Sequence, residues 1–391
     1  MRGRRHTLSF CAIGLSAILQ MSAAKAASTP SDLTGLKQGT VQTYQYKLPG
    51  LPSSKSGVVV GFPLISLPDA KAAERINILL HHFLLGTLPP PAGTPTLPVI
   101  ALAASEATNG LASLQVEPPK VLYQGRVLAV SAGGDGCGAY CESYERHFAF
   151  DARTGRLLVP AELFTPAGLK ALSARKASLN LTTLQNAAGE ARKALRSKKL
   201  SADDKERYEY QVNLYEECAG RYKEGGYLND GINLGAMRLV EGGIEWNDER
   251  CSNHATRAMD DLGDLKLTMS ADMLGSWLST YGRALLLDQG NAVPATLNGR
   301  AQIFKGSLQG PLPIVLIFGS EHGSLEVPPF SVAQYYYQKW RKPIDLKVER
   351  QGDQFTLTES GGVITAKLVG KKLEGQWRGN GKVLAFEAEA F

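Results

Sequence analysis

Four groups of residues in this 391-residue chain have types and spacings that chemistry can use. A glycine-rich loop is closed by Cys137 and Cys141, with Asp135, Tyr140, Glu142 and Tyr144 in or beside it. Cys218 and Cys251 form a more distant pair. Adjacent carboxylates occur at Asp248-Glu249 and Asp260-Asp261, and histidines at His81, His82, His147, His254 and His322. A hydrolytic triad needs a nucleophile, a base and an orienting acid. None of these histidines sits in a GxSxG, HExxH or HxxxH context, so neither that chemistry nor zincin chemistry has a local signature. His81 and His82 read as solvated residues at a helix end, where the helix dipole favours them. His147 reads as a polar residue on a sheet face, His254 as a loop residue beside a cystine, and His322 as part of a turn. Neighbouring carboxylates point in different directions, and a glycosidase pair depends on separation in space rather than in sequence. The Gly133-Gly-Asp-Gly136 loop reads as a turn rather than a phosphate cradle. The reading therefore assigns no catalytic residue, no metal and no cofactor.

The cysteines speak instead to compartment. Arg2, Arg4 and Arg5, a short apolar run over residues 8–21 and Ala24-Lys25-Ala26 make a secretory leader over residues 1–26. Its loss takes four basic residues and lowers the formal charge from +6 to about +2. That balance argues for neither nucleic acid nor an anionic membrane, and no later stretch is apolar enough to span a bilayer. Periplasmic or secreted residence follows, with no membrane insertion after leader cleavage. Cys11 leaves with the leader, and the remaining four cysteines allow disulfides, zinc or free thiols. A CxxxC with two distant single cysteines lacks the CxxC…CxxC spacing of zinc sites, and an oxidising compartment disfavours thiolates. Disulfides are expected, with Cys137–Cys141 and Cys218–Cys251 the simplest of three connectivities.

The elements that must position these groups fall into two parts. Residues 27–44 lack an apolar period and read as a linker. Residues 45–288 mix both periodicities: strands near 56–63, 114–117, 120–132, 144–151, 232–240 and 243–247, and helices over 68–85, 178–196, 202–222 and 270–286. On the 202–222 helix, Tyr208, Val212, Tyr215, Cys218 and Ala219 share a face, which turns Cys218 toward a core. Residues 289–391 contain eight short alternating runs separated by Gly, Pro, Asp or Asn, the pattern of a compact barrel or curled sheet. The fold class expected is α+β, an antiparallel sheet with packed helices, followed by a smaller all-β barrel-like domain.

Gly57-Val-Val-Val-Gly-Phe-Pro63 with Ala73-Glu-Arg-Ile-Asn77, the turn segment Phe150-Asp-Ala-Arg-Thr-Gly-Arg-Leu-Leu158 and the block 227–286 resemble an exported bacterial module. Its halves are called DUF4163 and DUF3298, and the resemblance covers roughly residues 45–288. It implies helices on an antiparallel sheet, and envelope biology that in some members includes binding a lysozyme. The family's Gly-Gly-Ala-His loop is Gly133-Gly-Asp-Gly136 here, and no sigma-binding segment or deacetylase domain is present, so neither signalling nor deacetylation carries over. Residues Val332–Tyr337, Lys339, 343–346, 357–359 and 373–377 resemble a small C-terminal β module with no implied activity.

The leading expectation is a non-enzymatic envelope protein that binds a protein or envelope component, with a lysozyme-like peptidoglycan hydrolase as candidate partner. A cystine ring displaying Asp135, Tyr140, Glu142 and Tyr144 is preorganised, and tyrosine with acidic neighbours suits a cationic partner. The competing function of that ring is to lock a sheet edge. Two other classes stand beside this expectation. One is a hydrolase of envelope carbohydrate or ester, recognisable by a His–carboxylate pair in a deep pocket. The other is a small-ligand carrier, recognisable by an open apolar lumen in the C-terminal barrel. Nucleic acid is excluded because basic runs such as Arg196-Ser-Lys-Lys199 lack interleaved aromatics.

Overall fold

Asp69 and Gly86 bracket the helix around which both halves of the chain pack. Asp69 accepts a hydrogen bond from the Ala72 amide at 2.9 Å, and Gly86 closes the other end at φ 61°, a left-handed cap open to glycine without strain. Between them runs α1 (Ala70–Leu85), in a computed structural model that describes residues 40–47, 59–90, 100–101, 115–116, 120–124, 126–137, 141–223, 237–240, 242–248, 250–292, 301–319 and 330–391. The expected leader and most of the expected linker lie outside these residues. Among the described residues, no helix is long and apolar enough to cross a membrane.

The α+β part has three sheets. β1 (Thr40–Lys47) pairs with β2 (Val59–Ser66) and with β3 (Ile100–Ala101). The second sheet is built on β6 (Val127–Cys137), flanked by β4 (Gln115–Val116), β5 (Lys120–Gln124), β7 (Cys141–Asp151) and β8 (Arg156–Leu157). Asn77 ties α1 to β2: its side chain accepts from the Ile65 amide and donates to the Ile65 carbonyl, both at 2.8 Å, as a neighbouring strand would. The turn after β7 also presses on α1. Gly155 has φ +69°, and a Cβ there would stand 2.4 Å from the Ala72 carbonyl oxygen, so the Thr-Gly of the turn is dictated by backbone shape and by close approach.

After α2 (Pro160–Leu163), the helix expected over 178–196 begins twelve residues earlier, as α3 (Pro166–Leu195). Thr165 caps it by accepting from the Gly168 amide, and Pro166 suits the first helical position. α4 (Ala202–Lys223) folds back along α3, and Tyr215, Cys218, Ala219 and Tyr222 are buried against Leu184 and Ala188. Cys218 bonds Cys251 across a Cα separation of 5.9 Å, the pairing expected. β9 (Met237–Val240), β10 (Gly243–Asp248) and β11 (Leu265–Ser270) form the third sheet. The helix expected over 270–286 is broken into α5 (Ala271–Leu274) and α6 (Thr280–Leu286), because Ser279 starts a fresh N-cap by accepting from the Gly282 amide.

Residues 301–391 close into an eight-stranded up-and-down barrel: β12 (Ala301–Leu308), β13 (Leu312–Gly319), β14 (Val332–Tyr337), β15 (Pro343–Gln351), β16 (Gln354–Thr358), β17 (Val363–Val369), β18 (Lys372–Gly379) and β19 (Lys382–Ala390). Alternation turns one face inward, and Phe304, Phe318, Phe330 and Phe355 meet there with ring centroids 5.0 to 6.4 Å apart. A lumen filled this way is a packed core rather than the open apolar lumen that a small-ligand carrier needs. Outward-facing Ile303, Val315, Ile317 and Tyr336 join the core around α1. The junction is polar at its rim: Lys305 pairs with Glu74, Arg75 Nε donates to the Phe391 carbonyl at 2.7 Å, and Arg341 Nε donates to the Leu88 carbonyl at 2.9 Å.

Candidate functional site

The loop singled out by its cysteines is the outer end of one long hairpin. Residues 127–130, 132, 147–148 and 150–151 are buried, and the strands run on past them to Cys137 and Cys141. The backbone register sets Cys137 opposite Cys141, Glu142 opposite Gly136, Tyr144 opposite Gly134 and Asp135 opposite Ser143. Asp135 also pairs with Gln115 of β4. Tyr140 and the side chains of the other expected contact residues, both loop cysteines included, lie outside what is described. What is described there is therefore backbone pairing alone, two antiparallel strands in register out to Cys137 and Cys141.

The carboxylates resolve into three stations, buried at Asp151 and Asp260 and half-buried at Asp248. Asp151, fully enclosed, receives four donors: Arg126 Nε at 2.9 Å, Arg126 Nη2 at 2.7 Å, the Arg153 amide at 3.0 Å and the Tyr281 hydroxyl at 2.9 Å. A carboxylate offers about four lone-pair sites, so all are used. Arg126 Nη1 continues to the Ala292 carbonyl at 3.0 Å. The aspartate of the turn motif thereby fastens β7 to the β5–β6 turn and to α6, and through Arg126 to the backbone at Ala292. Burial first, and then the Asp151 charge, push the Tyr281 hydroxyl far above its ordinary pKa.

Asp260 is held by the Ser252 hydroxyl at 2.7 Å, the Tyr215 hydroxyl at 3.1 Å and the amides of Leu262 and Gly263 at 3.2 Å. Tyr215 is pushed up to about 12, first by burial. This station shores up the loop after the disulfide. Its sequence neighbour Asp261 faces Arg207 at 3.7 Å instead, so the two carboxylates diverge as expected. Asp248 pairs with Lys176 at 2.5 Å and accepts from Asn180 Nδ2 at 2.7 Å and the Tyr222 hydroxyl at 3.3 Å. Glu249 lies outside the described residues. A cleft of about 500 Å³ opens beside this station, lined by Asn180, Thr183, Leu262, Asp264, Leu265 and Lys266.

Two of the histidines, His81 and His82, are placed differently from the expectation. Both are buried: the His81 ring meets Phe62 of β2 edge-on at 4.8 Å, and Tyr336 of the barrel wall covers His82. His81 Nδ1 lies 2.7 Å from the Asn77 carbonyl oxygen and His82 Nδ1 lies 2.6 Å from the Tyr336 hydroxyl. Burial lowers both to a pKa of about 3, which leaves the rings neutral. His147 is a cross-strand partner, with Nδ1 3.0 Å from Ser131 Oγ. These three contacts are to a carbonyl and two hydroxyls, and the cleft lining contains no histidine. The side chain of His254, and all of His322, lie outside the described residues. Among the described residues, no group of three or more His, Cys, Asp or Glu side chains is arranged to hold a metal ion.

Sequence reasoning missed Arg126, Tyr281, Asn180 and Tyr336. Only Asp151 carried a local signal, through its turn motif; its partners are 25 and 130 residues away. No family model matches the sequence, and no curated protein matches it. Among solved structures the chain is similar to a member of the DUF3298 family from Bacteroides fragilis, with 13% identity over 62% of this chain and 93% of that one and a TM-score of 0.31. It is likewise similar to a DUF3298 family protein from Pseudomonas aeruginosa, with 15% identity over 62% of this chain and 94% of that one and the same TM-score of 0.31. Both are proteins of the family that the turn motif resembles. Likeness at this level assigns no role to any residue.

Proposed function

We propose that this chain is an exported, non-enzymatic protein of the cell envelope that binds a protein partner through the end of the β6–β7 hairpin. The observation that carries the reading is the hairpin itself. Its inner half is anchored in two cores, and its outer half continues the same register to the Cys137–Cys141 position. Strand pairing fixes the backbone of Asp135, Glu142 and Tyr144 before any partner arrives, which lowers the ordering cost of binding. Acidic and tyrosine side chains in that frame complement a cationic surface. A peptidoglycan hydrolase of the lysozyme type has that surface and shares the compartment implied by the leader. The non-enzymatic part is supported by the stations at Asp151, Asp248 and Asp260, where carboxylates are engaged in holding elements together.

Capture of lysozyme by the immobilised protein, against a Tyr140→Ala/Glu142→Ala variant, tests this. Retention by the wild type and loss in the variant are expected. Failure of the wild type to retain lysozyme removes that partner, and equal retention by both proteins removes the hairpin as the site.

A further inference from the structure

One end of the barrel carries the turns 309–311, 338–342, 359–362 and 380–381. Within two residues of these turns stand Lys339, Arg341, Lys342, Arg378 and Lys382, against the single acid Glu359. Glu359 is turned to internal use: it accepts from the Trp377 indole at 2.6 Å and the Tyr335 hydroxyl at 3.0 Å, which closes the mouth of the barrel. Arg341 is also engaged, at the Leu88 carbonyl. Lys339, Lys342, Arg378 and Lys382 are exposed.

Among these charges stands an aromatic that the fold holds outward. Trp340 is 55% exposed, while Trp246 and Trp377 are buried and Trp277 is partly so. Its place is set on three sides. The Trp340 and Arg341 amides donate to the Tyr337 carbonyl at 3.1 and 2.9 Å, the Tyr337 ring meets the indole edge-on at 5.0 Å, and the Arg341 guanidinium pins the turn to Leu88. Val383, on the β18–β19 hairpin of the same end, is 61% exposed.

We infer that this end of the barrel docks on an anionic lipid bilayer surface. An exposed indole flanked by Lys339 and Lys342 is suited to the headgroup layer, where the ring enters the interface and the lysine stems carry their charges to lipid phosphates. The basic side chains sit on two hairpins, β14–β15 and β18–β19, that stand across an eight-strand ring from each other. Charges spread in this way do not converge on one small anion, but they do face an extended surface. Contact is interfacial, without insertion of a strand or helix. The inference does not rest on the partner reading above, which concerns the β6–β7 hairpin.

The test is quenching of tryptophan emission by vesicles with brominated acyl chains, either phosphatidylcholine alone or with roughly one third phosphatidylglycerol, with flotation to measure affinity. The leader segment contains no tryptophan, so the emission reports the folded part. Quenching by anionic vesicles, weakened by salt and lost in Trp340→Ala, is expected. Lys339→Ala/Lys342→Ala should bind about 25-fold more weakly, since each basic residue near an anionic surface contributes about fivefold, or roughly 1 kcal/mol. All three positions are exposed, so the thermal midpoints should match the wild type. No quenching of the wild type, unchanged affinity in the lysine variant, or binding to soluble polyglutamate with no quenching by vesicles would each overturn the inference. The last outcome would assign the patch to an acidic polymer.

Discussion

Acid should unfold this protein by way of α1. His81 and His82 are enclosed there, and burial holds both imidazoles near a pKa of 3, against about 6.5 in an unfolded chain. At His81 the hydrogen bond to the Asn77 carbonyl opposes this burial effect and the Arg341 charge reinforces it. Because the folded values lie below the unfolded ones, the unfolded chain takes up protons first. The stability contributed by these groups is therefore complete above about pH 6.5 and is lost as the pH falls toward 3. Between pH 7 and pH 5, at about 1.36 kcal/mol per unit, each histidine costs about 2 kcal/mol and the pair about 4 kcal/mol. That is a large fraction of a typical domain stability of roughly 5–15 kcal/mol. Urea unfolding at both pH values reads it directly, for the wild type, His81→Gln and His82→Phe. Each variant should lose about half of the pH-dependent difference, whatever its stability at pH 7. The carboxylate contributions are common to all three proteins and cancel. Wild-type pH dependence retained in both variants would refute the reasoning, since the rings would then not be resisting protonation in the folded state.

Three further outcomes follow from the packing. Gly155→Ala must accept a left-handed backbone and a Cβ 2.4 Å from the Ala72 oxygen, and should cost roughly 3 kcal/mol by thermal unfolding; a loss below about 1 kcal/mol would mean that the turn does not press on α1. Cys218→Ala/Cys251→Ala opens a link between residues 33 apart and should lower stability by about 3–4 kcal/mol, read as a denaturant midpoint below that of the oxidised wild type; an unchanged midpoint would mean that the link constrains nothing. Arg126→Met strands a buried carboxylate and should cost about 3–5 kcal/mol, whereas Tyr281→Phe removes one of four donors to Asp151 and should cost about 1–2 kcal/mol; equal losses would show that Asp151 is not carried by the arginine.

The barrel was the most legible part of the chain. Its strands are short, each alternates, and most of the hairpins are closed by a residue that favours positive φ, such as Gly310, Gly352, Gly370 and Gly381. The eight short runs expected within residues 289–391 correspond to the eight strands β12–β19. Helix α4 and its inward-facing Cys218 were legible for the same reason, one face with one period. The start of α3 was not, because Gly168, Lys170, Ser173, Arg175 and Lys176 weaken the apolar stripe over residues 166–177, and the cap at Thr165 needed Pro166 to be read as a beginning.

What escaped the sequence is what lies between elements. A periodic helix declares one apolar face, and α1 has two, because the barrel wall of Ile303, Val315, Ile317 and Tyr336 covers the second. The histidines on it look like solvated end residues until Phe62 of β2 meets His81 and Tyr336 of that wall meets His82, after which burial holds both imidazoles neutral. The Asp151 station follows the same logic: a motif aspartate advertises a turn, but whether it is a free acid or a fully engaged one is decided by Arg126 and Tyr281, which no local pattern connects to it. Net charge misleads in a related way. A chain near neutrality still concentrates Lys339, Lys342, Arg378 and Lys382 at one end of a closed barrel, because strand order brings together hairpins 40 residues apart. In each case the residue type was visible and its partner was not, and the partner sets the chemistry.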